Sequence, residues 1–230
     1  WHDSITLWSH QIKLFPNVSY AAYTNRGLAY YKLGDYLNAM SDYNKAIEIN
    51  PQSSIAYNNR GLTFDKFGDY HQAMKDYNKA IELDPQYTEA YDNRGGTYFT
   101  MGDYQSAMRD YNKAIELDPL YAKAYYNRGT VNNSLGYYPQ AIEDFSKAIE
   151  LNPKDSIYYN NRGSAYNSLG KYKEAIKDYN AAIRLNPNDA YAYYNLGVAY
   201  SQLGDHGQEV KNYKMAADLG LKEALDYLRE

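Results

Sequence analysis

The chain has 230 residues, of which 44% are hydrophobic and 23% are charged, and its formal net charge is −4. This composition can support a folded core, and the mildly negative charge argues against a general nucleic-acid-binding protein, because such proteins present a basic surface. The absence of cysteine excludes disulfides and thiolate metal sites but does not indicate a compartment. No apolar run of about 18 or more residues occurs, so the sequence predicts no membrane insertion by this chain.

The N-terminal segment precedes the regular part of the sequence. Residues 3–15 are predicted to form a helix that ends at Pro16 and Asn17. No signal peptide is recognisable. Because the chain begins with Trp1 rather than Met, we expect it to be a fragment of a longer protein.

A repeat of 34 residues follows. The tripeptide Asn-Arg-Gly stands at positions 25–27, 59–61, 93–95, 127–129 and 161–163, and becomes Asn-Leu-Gly at 195–197. A second glycine, a proline and an alanine return at the same interval. Repeats of this length are typical of stacked arrays in which no unit can bury its apolar face alone. The predicted repeats are 20–53, 54–87, 88–121, 122–155, 156–189 and 190–223.

Each repeat is predicted to contain two helices, as residues 54–87 illustrate. The first helix covers about residues 55–67, and Gly68 can adopt the left-handed conformation that ends a helix. Asp69 can then cap the second helix, which Asp84 and Pro85 terminate. Small residues should let the two helices approach closely. The positions at helical spacing are Tyr57, Gly61 and Phe64 in the first helix, and Tyr70, Ala73, Met74, Tyr77, Ala80 and Ile81 in the second.

This pattern resembles the tetratricopeptide repeat (TPR), and six copies of it extend over residues 20–223. The resemblance implies an all-α, right-handed superhelical solenoid of antiparallel helix pairs, with the first helix of each pair on a concave wall. The residues that carry it are Tyr57, Gly61, Phe64, Gly68, Asp69, Tyr70, Ala73, Tyr77, Ala80 and Pro85.

The two ends of the array are expected to be irregular, since one face of each terminal unit meets water. Residues 1–19 are interpreted as the second helix of a truncated preceding repeat, although the join lies one residue out of step. Residues 222–230 are predicted to form a capping helix with Ala224, Leu225 and Leu228 turned inward. Glu209 replaces an alanine of the other repeats, so the packing of the last hairpin is open to question.

The arginine of the tripeptide is interpreted as structural. Five arginines are each followed by an aspartate 16 residues later, and in the sixth repeat both change together, to Leu196 and Asn212. The joint loss indicates a pair within one repeat; the alternative is that the arginines bind a ligand. The tyrosines four positions before the glycine are interpreted as core residues. These are Tyr23, Tyr57, Tyr91, Tyr125, Tyr159 and Tyr193.

The asparagine of the tripeptide is retained in all six repeats, and helix propensity does not explain it. A side-chain amide offers a donor and an acceptor, which match the two polar groups of a peptide unit. The row resembles the asparagine ladder of O-GlcNAc transferase and the peptide-gripping asparagine of chaperone-binding repeat proteins. That resemblance implies a groove that grips an extended backbone; the alternative is that each amide bonds a neighbouring helix. The residues are Asn25, Asn59, Asn93, Asn127, Asn161 and Asn195.

Other predicted groove positions vary between repeats, as expected if they read side chains. The lysine and asparagine with which chaperone-tail binders clamp a terminal carboxylate are missing, so that role is rejected. Carboxylates at Asp65, Glu89 and Asp92 are partly offset by lysines, and we expect a mostly neutral extended ligand held by amides and aromatic rings. The additional predicted groove residues are Tyr31, Asn58, Asp92, Phe99, Tyr126, Asn160 and Tyr194.

Nothing in the sequence predicts catalysis, a cofactor or a metal. No phosphate-binding glycine loop appears, and the four histidines are scattered without metal-ligand spacing. The leading hypothesis is therefore a protein-interaction scaffold that binds a peptide or partner segment. One alternative is self-assembly into a homo-oligomer. Another is suggested by residues 1–8, which resemble the junction before repeat tails of bacterial membrane proteins related to protein glycosyltransferases. The compartment stays open between the cytoplasm and an extracytoplasmic domain of a bacterial or archaeal membrane protein.

Overall fold

The computed structural model describes residues 2–17 and 19–228, and within these residues the regular secondary structure is entirely helical. No helix among them is long and apolar enough to cross a membrane. Their helices are α1 His2–Leu14, α2 Tyr20–Lys32, α3 Tyr36–Ile49, α4 Ser54–Phe67, α5 Tyr70–Leu83, α6 Thr88–Thr100, α7 Tyr104–Leu117, α8 Ala122–Ser134, α9 Tyr138–Leu151, α10 Ser156–Ser168, α11 Tyr172–Leu185, α12 Ala190–Gln202, α13 His206–Asp218 and α14 Lys222–Tyr227.

The chain divides into two compact units, Trp1–Pro119 and Leu120–Glu230, and each unit repeats one arrangement. Consecutive helices pack as antiparallel pairs, which are α2/α3, α4/α5 and α6/α7 in the first unit and α8/α9, α10/α11 and α12/α13 in the second. Within each unit the first helices of successive pairs also contact one another, whereas the described second helices make no comparable mutual contact. The first helices therefore lie on the inner side of each unit.

The turn between paired helices follows the sequence prediction. Gly68 has φ of 75° and ends α4, and the Asp69 N–H donates to the Phe64 carbonyl at 3.0 Å. The Asp69 carboxylate then accepts a hydrogen bond from the Gln72 backbone N–H at 3.1 Å. A cap of this kind contributes about 1 kcal/mol to helix stability. Local residue chemistry thus sets both helix ends.

The glycine of the tripeptide makes room for an aromatic ring from the second helix. A Cβ atom on Gly61 would lie 2.8 Å from Cε1 of Tyr77, whose side chain is fully buried. All six repeats share this geometry, which confirms the predicted close approach of the paired helices. The rings are Tyr43, Tyr77, Tyr111, Phe145, Tyr179 and Tyr213.

The prediction that the tyrosines four positions before the glycine form the core was wrong. Tyr57 and its five equivalents are half-buried. The space between the paired helices belongs to the aromatic residue of the second helix, so the first-helix tyrosine is displaced to the edge. There Tyr57 lies beside Arg60, with the guanidinium carbon 5.5 Å from the ring centre.

At the N-terminal end, α1 packs against α2 as the second helices of the first unit pack against the following first helix. Arg26 Nη1 donates to Ser9 Oγ at 3.1 Å across 17 residues, whereas the same nitrogen of Arg60 reaches Asn44 Oδ1 across 16 residues. The extra residue accommodates the join that is out of step. The assignment of residues 1–19 to a truncated repeat stays a prediction.

At the C-terminal end, α14 packs on α13 through Leu221, Ala224 and Leu228. Leu225 is 39% exposed, so the prediction that it turns inward was wrong. The inward stripe follows helical spacing through Leu221, Ala224 and Leu228, and Leu225 lies one position, or about 100°, beyond it. Glu209 is 2% exposed and accepts a hydrogen bond from the Tyr227 hydroxyl at 2.6 Å. The unusual glutamate therefore fastens this short helix.

Candidate peptide-binding surface

The arginine of each tripeptide is held by an aspartate of the same repeat. Arg94 Nε and Nη2 donate to the two carboxylate oxygens of Asp110, both at 2.7 Å, and Arg94 Nη1 donates to Asn78 Oδ1 of the preceding repeat at 2.6 Å. The Asp110 side chain is only 7% exposed. This fork geometry recurs at Arg26, Arg60 and Arg162.

The predicted pairing within one repeat is therefore confirmed. Arg128 also pairs with Asp144, through Nε and Nη2. In the sixth repeat Leu196 is buried, and Asn212 Nδ2 donates to the Gln208 carbonyl of its own helix. Three of the five donors of the Arg26, Arg60, Arg94 and Arg162 guanidinium groups bond within the scaffold, which favours the structural interpretation of these arginines.

The six asparagines of the tripeptide form a row that we call the amide ladder, in which Asn93, Asn161 and Asn195 link first helices of neighbouring repeats. In the first unit, Asn93 Nδ2 donates to Asn58 Oδ1 at 3.0 Å. In the second unit, Asn161 Nδ2 donates to the Tyr126 hydroxyl at 3.0 Å, and Asn195 Nδ2 donates to Asn160 Oδ1 at 3.2 Å. Each bond reaches back 35 residues, to the position just before the asparagine of the preceding repeat.

The ladder amides keep part of their hydrogen-bonding capacity. Asn93, Asn161 and Asn195 are partly exposed, and their Oδ1 atoms accept no hydrogen bond from any described residue. Asn25 is exposed and borders a depression lined by Tyr20, Ala21, Thr24, Asn25, Ser53 and Ile55. Asn59 and Asn127 are partly exposed as well. An incoming peptide N–H could therefore reach an amide oxygen without breaking the ladder.

The position three before the glycine supports the ladder in the first unit. Asn58 and Asp92 are 2% and 1% exposed, so their side chains are not available for direct peptide contact, contrary to the sequence-based prediction. The reason is that Asn58 lies between the first helices of two repeats, where it binds Asn93 and Tyr87. In the second unit Tyr126, Asn160 and Tyr194 are partly exposed at this position.

The position four after the glycine completes the inner surface. In the first unit it holds Tyr31, Asp65 and Phe99, all partly exposed. Tyr31 packs edge-on against Tyr36 with ring centres 5.3 Å apart, and Phe99 lies 5.5 Å from the ring of Tyr104.

Asp65 is the charged member of this first-unit row. Its carboxylate accepts hydrogen bonds from the Tyr77 hydroxyl at 2.6 Å and from Thr97 Oγ1 at 2.9 Å. Burial raises the pKa of Asp65, although these two hydroxyls and the charge of Lys66 oppose the rise. In the second unit the equivalent residues are Asn133, Asn167 and Ser201.

Two of these second-unit residues have a buried amide oxygen. Oδ1 of Asn133 and Oδ1 of Asn167 accept no hydrogen bond within the described part of the chain. Buried polar atoms normally have a partner, so these two enclosed oxygens are exceptions to the general rule. Among the described residues, no group of three or more His, Cys, Asp or Glu side chains could hold a metal ion.

Family models for the tetratricopeptide repeat match residues 20–53, 54–87, 122–155, 145–177 and 190–219, and a TPR repeat model matches 95–136 and 163–204. The chain belongs to the tetratricopeptide repeat family. Its helix pairs are those of TPR solenoid proteins, and this membership supports a protein-interaction scaffold in general terms. A comparison with curated proteins gave no match.

Solved structures of TPR proteins resemble the chain over most of its length. PilF of Pseudomonas aeruginosa is 22% identical with a TM-score of 0.82, over 91% of this chain and 96% of PilF, and at this identity it shows the fold alone. MamA is 30% identical with a TM-score of 0.65, over 76% of this chain and 95% of MamA. YrrB, a TPR protein with an unusual peptide-binding site, is 27% identical with a TM-score of 0.65, over 82% of this chain and 98% of YrrB.

Proposed function

We propose that this TPR chain is a non-catalytic interaction module that binds an extended peptide along the first helices of its units. The observation that carries the proposal is the amide ladder, in which Asn93, Asn161 and Asn195 use their nitrogens on the scaffold and leave their oxygens open. A peptide N–H can donate to such an oxygen. At Asn93 and Asn195 the second hydrogen of the same nitrogen can meet a peptide carbonyl, because a side-chain amide has two donor hydrogens. At Asn161 both hydrogens are used within the chain, by the Tyr126 hydroxyl and the Ile157 carbonyl.

The ladder bonds give such a site its rigidity. Because Asn161 is held by Tyr126 and Asn195 by Asn160, these amides are oriented before a ligand arrives. Binding then costs little side-chain entropy, which is the usual advantage of a preorganised site.

Aromatic rings along the inner surface supply contact area. Tyr126 stacks on Tyr158 with ring centres 5.0 Å apart, and Tyr194 lies 5.3 Å from the ring of Tyr213. Tyr31 and Phe99 serve the same role in the first unit. Such fixed rings bury apolar surface at little conformational cost. The peptide-binding site of YrrB, at 27% identity, supports the same type of ligand.

The test is selection of random phage-displayed peptides on the purified chain, followed by fluorescence anisotropy with the enriched peptides. Asn25→Ala should weaken the peptides that bind the first unit, and Asn161→Ala those that bind the second, by about three- to tenfold, the range expected for one neutral hydrogen bond. Asn25 makes no side-chain hydrogen bond to the described residues, so its loss should not affect folding.

The matched control is Asn188→Ala, which removes an exposed amide in the loop before α12. Its affinity should equal that of the unmodified chain. The proposal fails if no peptide is enriched, or if every ladder substitution, with circular dichroism unchanged, binds as well as Asn188→Ala.

A second candidate function is self-assembly, which the exposed apolar residues of the N-terminal segment favour. Leu7, Leu14 and Phe15 are 60%, 58% and 54% exposed. A second copy could cover this surface. Analytical ultracentrifugation over a wide concentration range tests the idea, and a strictly monomeric chain would remove it. The suggested relation to membrane glycosyltransferase-like proteins stays a prediction, which the hydropathy of the complete gene would test.

A further inference from the structure

Asp65 has an environment unlike that of the five buried aspartates that pair with an arginine. Asp42, Asp76, Asp110, Asp144 and Asp178 each hold an arginine fork. Within the described residues, no basic nitrogen lies within the 4.0 Å limit for an ion pair with Asp65. Its only hydrogen-bond donors there are two neutral hydroxyls, those of Tyr77 and Thr97.

These two hydroxyls fix the carboxylate in one orientation. Tyr77 belongs to the second helix of the same repeat, and Thr97 belongs to the first helix of the next. Tyr77 is fully buried and Thr97 is 2% exposed, so neither donor can easily move away. A carboxylate has about four acceptor positions, and two donors leave the remainder open. Asp65 itself is partly exposed at the inner surface.

A half-buried carboxylate without an ion-pair partner is electrostatically unfavourable, since desolvation penalises its charged form. The nearby charge of Lys66 offsets only part of this penalty at Asp65. That penalty is visible in the raised pKa of Asp65. A cation delivered by a ligand would offset it. At the position four after the tripeptide glycine in the first unit, only Asp65 carries this desolvation penalty, because the equivalent residues are Tyr31 and Phe99.

We propose that Asp65 is a specificity-determining residue that selects a lysine or arginine side chain in the bound peptide. The inference rests on the proposed peptide-binding function and names the side chain that one point of the surface recognises. Tyr31 is close enough to Asp65 that the Asp65 charge, after burial and the neighbouring Tyr36, contributes to the raised pKa of Tyr31. Its ring gives the aliphatic stem of the ligand side chain an apolar wall and attracts the cationic head. The rest of the ligand stays neutral, as the other inner positions require.

The chain itself supplies the appropriate test substitution. Asn133 and Asn167 occupy the equivalent position in two other repeats, so Asp65→Asn places a residue there that the fold already uses. The asparagine keeps an acceptor for the Tyr77 hydroxyl and removes the charge. Circular dichroism and thermal melting should therefore match those of the unmodified chain.

The first experiment repeats the selection of random phage-displayed peptides on the unmodified chain and on Asp65→Asn in parallel. Peptides selected by the unmodified chain should share a lysine or arginine at one position. The Asp65→Asn selection should lose that preference while retaining binders that respond to Asn25→Ala, a substitution in the same unit as Asp65. Asp65→Lys should instead enrich aspartate or glutamate at the same position.

The second experiment uses one enriched synthetic peptide and its analogue with norleucine in place of the cationic residue. On the unmodified chain the replacement should weaken binding about tenfold, as for loss of a charge-assisted hydrogen bond. On Asp65→Asn the two peptides should bind within about twofold of each other.

The outcomes distinguish failure of the proposed role of Asp65 from failure of the proposed peptide binding. Enriched peptides that depend on the ladder but show no cationic preference, or a preference that survives Asp65→Asn, overturn the role of Asp65 and leave peptide binding intact. A selection that enriches nothing on any form of the chain overturns both.

Discussion

Two adjacent glycines in α6 allow a sharp test of the packing between paired helices. Gly95 belongs to the Asn-Arg-Gly tripeptide, and an added Cβ would lie 2.7 Å from Cε1 of Tyr111. At Gly96 the nearest atom is the Tyr111 hydroxyl oxygen, at 3.9 Å, an ordinary contact distance. Neither glycine has a positive φ. The same substitution to alanine therefore meets two different surroundings one residue apart.

The expected effects have opposite signs. Gly96→Ala should raise the free energy of unfolding by about 0.5–1 kcal/mol, because alanine is the better helix former. Gly95→Ala gains the same amount but forces the ring of Tyr111, which is 2% exposed, out of a filled site. Overpacking of this kind costs about 1–3 kcal/mol, so the net change should be a loss of up to about 2.5 kcal/mol.

The assay is urea unfolding followed by far-ultraviolet circular dichroism, with the slope of each transition compared so that midpoint shifts can be interpreted as stability. The reasoning is refuted if Gly95→Ala is as stable as Gly96→Ala. That result would mean that the ring relaxes freely and that the glycine is not required by packing.

Further predictions concern charged residues. Arg94→Leu alone should destabilise the chain by about 3 kcal/mol, because the buried Asp110 carboxylate loses its partner. Adding Asp110→Asn should restore much of this stability, since the sixth repeat has leucine and asparagine at these positions. Independent effects of the two substitutions in urea unfolding would contradict the pairing. Hydrogen bonds to Glu209, including one from Tyr227, lower the pKa of Glu209 to about 2 from 4.5. Its contribution to stability should therefore be present above pH 4.5 and lost as the pH falls toward 2. Hydrogen exchange of α14 should show this loss in the unmodified chain and not in Glu209→Gln, and identical pH profiles would contradict it. Because burial raises the pKa of Asp65, binding of a lysine-containing peptide should weaken as the pH falls through that raised pKa, whereas the norleucine analogue should show no such change in anisotropy titrations.

The features that the sequence predicts well are those set by local chemistry or by paired changes between repeats. Gly68 and Asp69 determine a helix end and a cap within a few residues of themselves. The arginine–aspartate pair is predictable because Leu196 and Asn212 change together in one repeat. Comparison among six copies within one chain thus replaces the comparison among relatives that such an inference usually needs.

The sequence-based predictions were wrong where the residues along one side of a helix contact both the paired helix and the helix of the next repeat. Tyr57 and Tyr77 both lie on apolar stripes, and periodicity does not show which ring fits against Gly61. Asn58 and Asn59 are adjacent in sequence but about 100° apart around the helix. One is therefore enclosed between first helices and the other stays partly exposed, a distinction that depends on how the next repeat stacks. The environment of Asp65 likewise needs Thr97 from the following repeat, so a single repeat cannot predict it.

The hydrogen bond from the arginine Nη1 atom to the preceding repeat has a consequence for how arrays of this type change length. Arg60 and Arg94 each satisfy an acceptor 16 residues earlier, in the repeat before their own. Where Leu196 replaces the arginine, Asn180 instead turns back to the Ile176 carbonyl of its own helix. An internal repeat therefore carries both an arginine donor for the preceding repeat and an acceptor for the following one. Duplicating or deleting a whole internal repeat leaves none of these donors or acceptors without a partner. The last repeat has leucine in place of the arginine donor, so genetic expansion of the array should copy internal repeats and preserve the terminal one.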